Sequence, residues 1–472
     1  MSLLTAVVLA AGEGKRMKSA LSKVLHTIAG RPLVYFPIKA ALDAGATRVV
    51  LVVSPHNRDD VESYVLRCFG RDTVKTALQE QQRGTGDAAR AGLERVESDR
   101  VLLLYSDTPL IRGEELERIV LGLDAEPGRP AELALLSCVV DEPTGYGRVI
   151  RDAEGRVLSV REERDLQSDG ERAIVEVNAG VYAANTTWLK AALGELVPNN
   201  AQGEYYLTDV VALAAQRARA AALRGDPEAL VGINDRAQLT EAERLMFRRI
   251  ARRHALAGVT VRGDGPRIDD AVSIEPDVTI EAHVCLRGTT HVARGATIET
   301  GCVVTDSQIG ENALLKPYCV VTASRVGPWA QIGPFAHLRP ESEIEEKAHV
   351  GNFVETKKTR LRRGAKANHL AYLGDSDIGE GANIGAGTIF CNYDGFQKHQ
   401  TVIGSGAFIG SDSQIVAPVR IGQGAYVATG TTVTRDVPDD ALAISRVKQE
   451  TKEGYAPRLK SRLQAAARKR GG

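Results

Sequence analysis

No apolar run in this 472-residue chain approaches the ~18–20 residues that a membrane-spanning helix requires. The N-terminus is apolar but has no basic start, and it runs directly into a glycine loop at Gly12. It therefore reads as a first strand and not as a secretory signal. An excess of one charge is also lacking. Lys+Arg and Asp+Glu both number 60, so the formal net charge is +0. Bulk charge gives no reason to expect nucleic acid or a membrane surface as partner. Only six cysteines occur (Cys68, Cys138, Cys285, Cys302, Cys319 and Cys391), dispersed and without a Cys-x-x-Cys pair. This argues against a structural zinc site and a disulfide framework, and suits a reducing cytosol.

Large apolar residues, in contrast, recur at every sixth position through the second half. Ile274, Ile280, Leu286, Val292, Ile298 and Val304 form one run. Val326, Ile332, Leu338, Ile344 and Val350 form another, and Ile403, Ile409, Ile415, Ile421, Val427 and Val433 a third. A period of six fits neither a helix nor an alternating strand. It marks the hexapeptide repeat of a parallel β-helix, in which each short face points one residue inward. Residues 390–400 interrupt the repeat between Ile384 and Ile403. Insertions into solenoids map to loops on one face, so Asn392 and Tyr393 are candidates by position. His283, His291, His337 and His349 follow the repeat and not a helical His-x₃-His spacing, so no structural metal is expected there.

The first half has a different pattern. Leu4–Leu9, Val49–Val53, Val101–Tyr105 and Leu133–Val140 are short Val/Leu-rich runs, as buried parallel strands require, with helical patterns such as Val34–Ala44 and Ala88–Val96 between them. This predicts an α/β doubly wound sheet with its site at the carboxyl ends of the strands. The expected division is an α/β domain at 1–233, a helical linker at 234–262, a β-helix at 263–445 and a basic tail at 446–472. Residues 236–256 hold neither Gly nor Pro and read as one helix. The tail reads as a solvated, partly disordered charge run.

The first strand ends in Leu9-Ala10-Ala11-Gly12-Glu13-Gly14-Lys15-Arg16-Met17, a small-residue loop whose backbone can approach a phosphate closely. It is neither a Walker A loop nor a Gly-x-Gly-x-x-Gly fingerprint. Further along stand Lys23, Gln79-x-x-Gln82-x-Gly84-Thr85-Gly86, Tyr105-x-Asp107, Pro143–Arg148, Asn178, Gln202–Tyr206 and Gly232-x-Asn234. In this order the motifs resemble the sugar-1-phosphate nucleotidylyltransferases, and most closely the bifunctional N-acetylglucosamine-1-phosphate uridylyltransferase/glucosamine-1-phosphate acetyltransferase family of bacterial cell-wall precursor synthesis. The resemblance covers nearly the whole chain. It implies that Leu9, Ala10, Ala11, Gly12 and Lys23 bind the nucleotide, with Gly12, Arg16 and Lys23 holding the triphosphate of UTP. Gln79, Gln82, Gly84 and Thr85 would surround the uracil. Gly147, Glu162, Asn178 and Asn234 would hold the sugar phosphate, and Asp107 and Asn234 would bind Mg²⁺, a hard ion suited to oxygen ligands. Lys23 and Arg16 would act in catalysis by neutralising charge. The chain departs from the family pattern at Ser22, Asp87, Ser106 and Ala179.

In the second half the same resemblance rests on Leu338-Arg339-Pro340, Gly351–Lys358, Asn368–Asp375, Asn383–Thr388 and Asn392–Gly395. It implies that Arg339, Lys357, Tyr372, Asn383 and Lys398 bind glucosamine 1-phosphate. Ala386, Asn392, Tyr393, Ser411, Thr429 and Arg446 would lie along acetyl-CoA. Thr429 stands where the family often has alanine. His369 would be the general base, a role that suits its pKa; by residue type alone it would be a packed or surface histidine at a coil corner. A left-handed coil, a homotrimer with shared acetyl-CoA sites and a cytoplasmic enzyme supplying cell-wall and lipopolysaccharide precursors are likewise implied. A second reading keeps only the N-terminal activity, with another sugar or dTTP, and makes the β-helix an oligomerisation module.

Overall fold

Val- and Leu-rich segments too short for helices become the strands of one sheet in the first half of the chain. The computed structural model describes residues 3–125, 130–217, 219–230 and 232–470. It forms two compact units, Met1–Arg253 with Arg267–Ala271, and His254–Pro266 with Val272–Gly472. The main strands of the first unit are β1 (Leu4–Leu9), β2 (Arg48–Val53), β3 (Val74–Leu78), β4 (Arg100–Tyr105), β5 (Leu133–Val139), β6 (Arg148–Arg151), β7 (Val157–Arg161), β8 (Glu176–Asn185) and β9 (Ala220–Arg224). Their order is β9-β5-β8-β4-β1-β2-β3, with β6 paired to β8 and β7 to β6. Strand β1 is central and buried at every position, which explains its unbroken apolar run. Apolar side chains fill a layer on each face, one around Val8, Leu51 and Leu104 and the other around Val7, Val52 and Leu103.

The sheet is not wholly parallel. Strand β8 runs antiparallel to both β4 and β5. Its register with β5 shifts between Asn178 and Tyr182, a bulge that bends the strand beside the site. At its start Glu176 accepts hydrogen bonds from Ser137 Oγ (2.6 Å), Arg151 Nη2 (2.6 Å) and Arg224 Nη2 (3.1 Å). Burial pushes its carboxyl up, but these donors together outweigh burial and hold it at about 2, against an ordinary 4.5. The folded value lies below the unfolded one, so the stabilisation is present above pH 4.5 and is lost as pH falls toward 2. Glu176→Gln is expected to lower unfolding free energy by roughly 3 kcal/mol at pH 7, at about 1.36 kcal/mol per pKa unit. Denaturant titration should show that deficit closing as pH approaches 2.

Arg236–Leu256 forms one helix, as its composition predicts. It is more than a linker, since Ala242, Met246 and Ile250 bury one stripe and Arg249 Nη1 donates to the Leu110 carbonyl at 2.7 Å. Through Arg253 it belongs to the first unit.

The second unit is the coil. Its short strands stack in parallel from coil to coil, in two separate sheets. Ile280, Ile298, Leu315, Ile332, Val350, Ala367, Ile384, Ile409 and Val427 stack in register along its interior. Of the six-residue anchors only Ile274 is not buried. The coil begins before the repeat is visible in the sequence, since Thr260–Val261 already pairs with Thr279–Ile280. The tail also departs from expectation. Tyr455–Arg470 is helical, with almost every described side chain exposed, so its charge did not prevent local helix formation.

Candidate active sites

The carboxyl ends of β1 and β4 open onto three adjoining hollows in the first unit. One of 570 Å³ is lined by Leu9, Ala11, Gly12, Lys23, Gln79, Gln82, Gly84 and Thr85, among others. A second of 290 Å³ is lined by Arg16, Tyr146, Gly147, Glu162, Asn178, Ala179 and Asn234. A third of 310 Å³ lies over Gly14, Lys15, Arg16, Lys23 and Asn234. Thr85, Tyr105, Asp107 and Glu204 line both of the first two hollows, so two molecules seated there would meet at Asp107.

The loop after β1 is held by its neighbours. Ala10 donates to the Val52 carbonyl at 2.8 Å and accepts from Asn57 Nδ2 at 2.8 Å, and Gln82 Nε2 donates to the Ala11 carbonyl. Gly14 has φ 64°, and a Cβ there would lie 2.5 Å from Lys23 Cβ. Glycine thus lets the Lys23 stem cross the loop. Lys23 Nζ then pairs with Asp107 Oδ2 and with Asn234 Oδ1 at 3.0 Å. Two oxygens far apart in sequence, one just after β4 and one just before the helix Arg236–Leu256, therefore face one cationic point. An Asp and an Asn oxygen suit Mg²⁺, which takes few protein ligands and completes its shell with phosphates and water. Among the described residues no group of three or more His, Cys, Asp or Glu side chains offers an all-protein metal site.

The second hollow is walled by buried polar groups. Asn178 Nδ2 donates to Tyr182 Oη at 2.7 Å, and its Oδ1 accepts from Gly180 N at 3.2 Å, within the β8 bulge. Glu162 accepts from Thr208 Oγ1 at 3.1 Å. Burial raises the Glu162 carboxyl above its ordinary value, with Asp209 and Asp165 adding to it. Thr208 was not picked out by motif reading, since a single threonine outside the quoted blocks carries no signal. Ser106 does not project toward the sugar side freely, because its hydroxyl donates to the Leu9 carbonyl at 2.7 Å and the residue is buried.

In the coil, Arg339 Nη1 pairs with Glu355 Oε1 at 2.7 Å on stacked strands. The Lys357 ammonium is held below its ordinary value by the ammonium of Lys398 beside it, a like-charge pair that an anion would relieve. Asn392 Nδ2 donates to Asp375 Oδ2 at 2.5 Å, and the Tyr372 hydroxyl and Asn392 flank Gly374 together. The 390–400 insertion turns back on itself through a Tyr393–Lys398 bridge, which puts Lys398 within reach of Lys357. His369 ends the strand Lys366–His369, exposed, opposite Asn352. Asn383 lies on the next coil, in register with Lys366. Ala386, Ser411 and Thr429 form a row on successive coils. Ala386 O accepts from Asp412 N, Ser411 O accepts from Gly430 N, and Arg446 Nη1 donates to the Thr429 carbonyl. Glu355 and Asp375 are partners that residue type alone did not assign, although both lie inside motifs read from the sequence.

Two family models match. The MobA-like NTP transferase domain matches residues 6–173, and the bacterial transferase hexapeptide (six repeats) matches residues 400–435. Over 471 residues the chain is 59% identical to the bifunctional protein GlmU of Sorangium cellulosum, covering 99% of this chain and 98% of that one. It is 48% identical to the bifunctional protein GlmU of an Anaeromyxobacter species, over 98% of this chain and 94% of the other. The protein of the same name from Trichlorobacter lovleyi is 44% identical over 96% and 98%.

Proposed function

The chain belongs to the bifunctional GlmU family, and on that premise we propose the roles of its two sites. It is a uridylyltransferase and a glucosamine-1-phosphate acetyltransferase in one polypeptide, the second unit being a left-handed β-helix. The reading that leaves the coil as an oligomerisation module is set aside, because the bifunctional relatives align with both halves.

In the coil, Arg339, Lys357 and Lys398 hold the phosphate of glucosamine 1-phosphate, a dianion that favours guanidinium forks and point charges. Tyr372 and Asn383 orient the sugar. His369 takes a proton from the C2 amine as its nitrogen attacks the thioester carbonyl. The C–N bond forms, the C–S bond breaks and coenzyme A leaves as its thiol. Backbone N–H groups near Ala386 and Tyr393 face the developing oxyanion, and Asn392, Ser411, Thr429 and Arg446 line the acetyl-CoA channel.

In the first unit, Gln79, Gln82, Gly84 and Thr85 surround the uracil, and the Leu9–Gly12 backbone with Arg16 and Lys23 holds the triphosphate. Gly147, Glu162 and Asn178 hold N-acetylglucosamine 1-phosphate. Its phosphate oxygen attacks the α-phosphorus of UTP, and the bond to pyrophosphate breaks. Asp107 and Asn234 hold Mg²⁺, which when bound neutralises charge on the phosphates. Because such chemistry is mostly positioning, the arrangement of fixed groups accounts for it. The observation that supports this reading most is the convergence of Asp107, Asn234 and Lys23 where the two hollows meet. A cytoplasmic homotrimer completes the proposal.

The test is Mg²⁺-dependent pyrophosphate release from UTP with three sugars. N-acetylglucosamine 1-phosphate should be strongly preferred over glucosamine 1-phosphate and glucose 1-phosphate. Equal rates would mean that Ala179 and its neighbours have altered the pocket.

A further inference from the structure

Asp87 lies in the first turn of the helix Thr85–Leu93, buried, where none of the roles above uses it. Its Oδ2 accepts from Gln79 Nε2 at 3.0 Å and its Oδ1 from Arg83 Nη2 at 2.8 Å. Gln79 Nε2 also donates to the Gly84 carbonyl at 3.1 Å. A side-chain amide has a donor end and an acceptor end of nearly equal shape, and its neighbours decide which way it points. Both neighbours of this end, a carboxylate and a peptide carbonyl, only accept. The end facing them is therefore the NH₂, and both of its hydrogens are used. Oε1 remains, with no hydrogen-bond donor paired to it among the described residues, on a side chain that lines the 570 Å³ hollow.

The carboxylate cannot easily turn away. Arg83 pairs with it at 2.8 Å, with its guanidinium over the Tyr205 ring at 5.9 Å, and the Arg83 carbonyl accepts from Tyr205 N at 2.8 Å. Gly84 is equally fixed, since a Cβ there would lie 2.5 Å from the Tyr205 carbonyl oxygen.

We propose that Asp87 is a positioning residue for pyrimidine choice: by fixing the Gln79 amide it presents an acceptor to the base. Uracil carries a donor, N3–H, at the middle of its pairing edge. Cytosine carries a bare acceptor at N3, so two acceptors would face each other. A buried polar mismatch of this kind discriminates far more strongly than a difference in shape. The inference rests on the uridylyl transfer assigned to this cleft.

The experiment measures kcat/KM for pyrophosphate release with UTP and with CTP, using N-acetylglucosamine 1-phosphate and Mg²⁺. The proteins are the unaltered chain, Asp87→Leu, Asp87→Ala and Arg83→Met. Without the carboxylate the Gln79 amide can reverse, so the UTP-to-CTP ratio should fall by about tenfold or more in both Asp87 variants. In Arg83→Met the carboxylate stays beside Gln79 but loses its ion pair, so the ratio should fall by less than in either Asp87 variant. Asp87→Ala adds no bulk and serves if Asp87→Leu does not fold. A purely structural role would slow both nucleotides equally; an unchanged ratio in the Asp87 variants, with the unaltered chain preferring UTP, overturns the inference. If the unaltered chain itself shows no preference for UTP, the reading of the cleft fails instead.

Discussion

His369→Ala lowers coenzyme A thiol release from acetyl-CoA and glucosamine 1-phosphate on the order of a thousandfold and leaves pyrophosphate release from UTP unchanged. The amine of an amino sugar is largely protonated near neutral pH and cannot attack a thioester in that form. A base that removes the proton during attack contributes about 10²–10⁴-fold. Imidazole fits because its ordinary pKa lies close to working pH. His369 is exposed at the end of a short strand, so its removal leaves no cavity in the coil. Stability should change by no more than about 0.5 kcal/mol, as for most surface substitutions. Loss of thiol release with an unchanged melting curve thus separates catalysis from folding. Thiol release at the unaltered rate would remove His369 from the mechanism.

Asp107→Asn has the opposite pattern. Pyrophosphate release should fall by about a thousandfold, because metal-assisted charge neutralisation is worth several kcal/mol and each 1.36 kcal/mol is tenfold. Thiol release should persist. The substitution preserves shape and removes one charge, so Lys23 loses its ionic partner while keeping Asn234. Raising Mg²⁺ should restore part of the rate if Asp107 is a ligand. A deficit insensitive to Mg²⁺ would show that Asp107 only anchors Lys23.

Much of this architecture was legible because burial imposed a period on the sequence. The coil admits one inward side chain per short face, so Ile280, Leu286, Val292 and Ile298 announce their positions six residues at a time. The helix Arg236–Leu256 was readable from its lack of Gly and Pro. Strand β8 was harder. Its direction depends on partners that no local pattern names, and its bulge at Asn178 appears only once it is paired with β5. The start of the coil at Thr260 was hidden because a two-residue strand carries no period. For the sites, spacing could not bring Lys23, Asp107 and Asn234 together across 84 and 211 residues of chain; the family motifs suggested it. The Asp87–Gln79 contact spans one loop and a helix start, and Asp87 stood out in the sequence only as a departure from the family pattern.

The most direct test of two separate sites acting in succession is to combine the two single-site variants. Glucosamine 1-phosphate, acetyl-CoA, UTP and Mg²⁺ are supplied to Asp107→Asn alone, to His369→Ala alone and to both in one vessel, and UDP-N-acetylglucosamine is measured. Neither variant alone should make it at an appreciable rate, and the mixture should, because one releases the acetylated sugar phosphate that the other consumes. A mixture as inactive as its components, or full product from either variant alone, would contradict the assignment of one reaction to each unit.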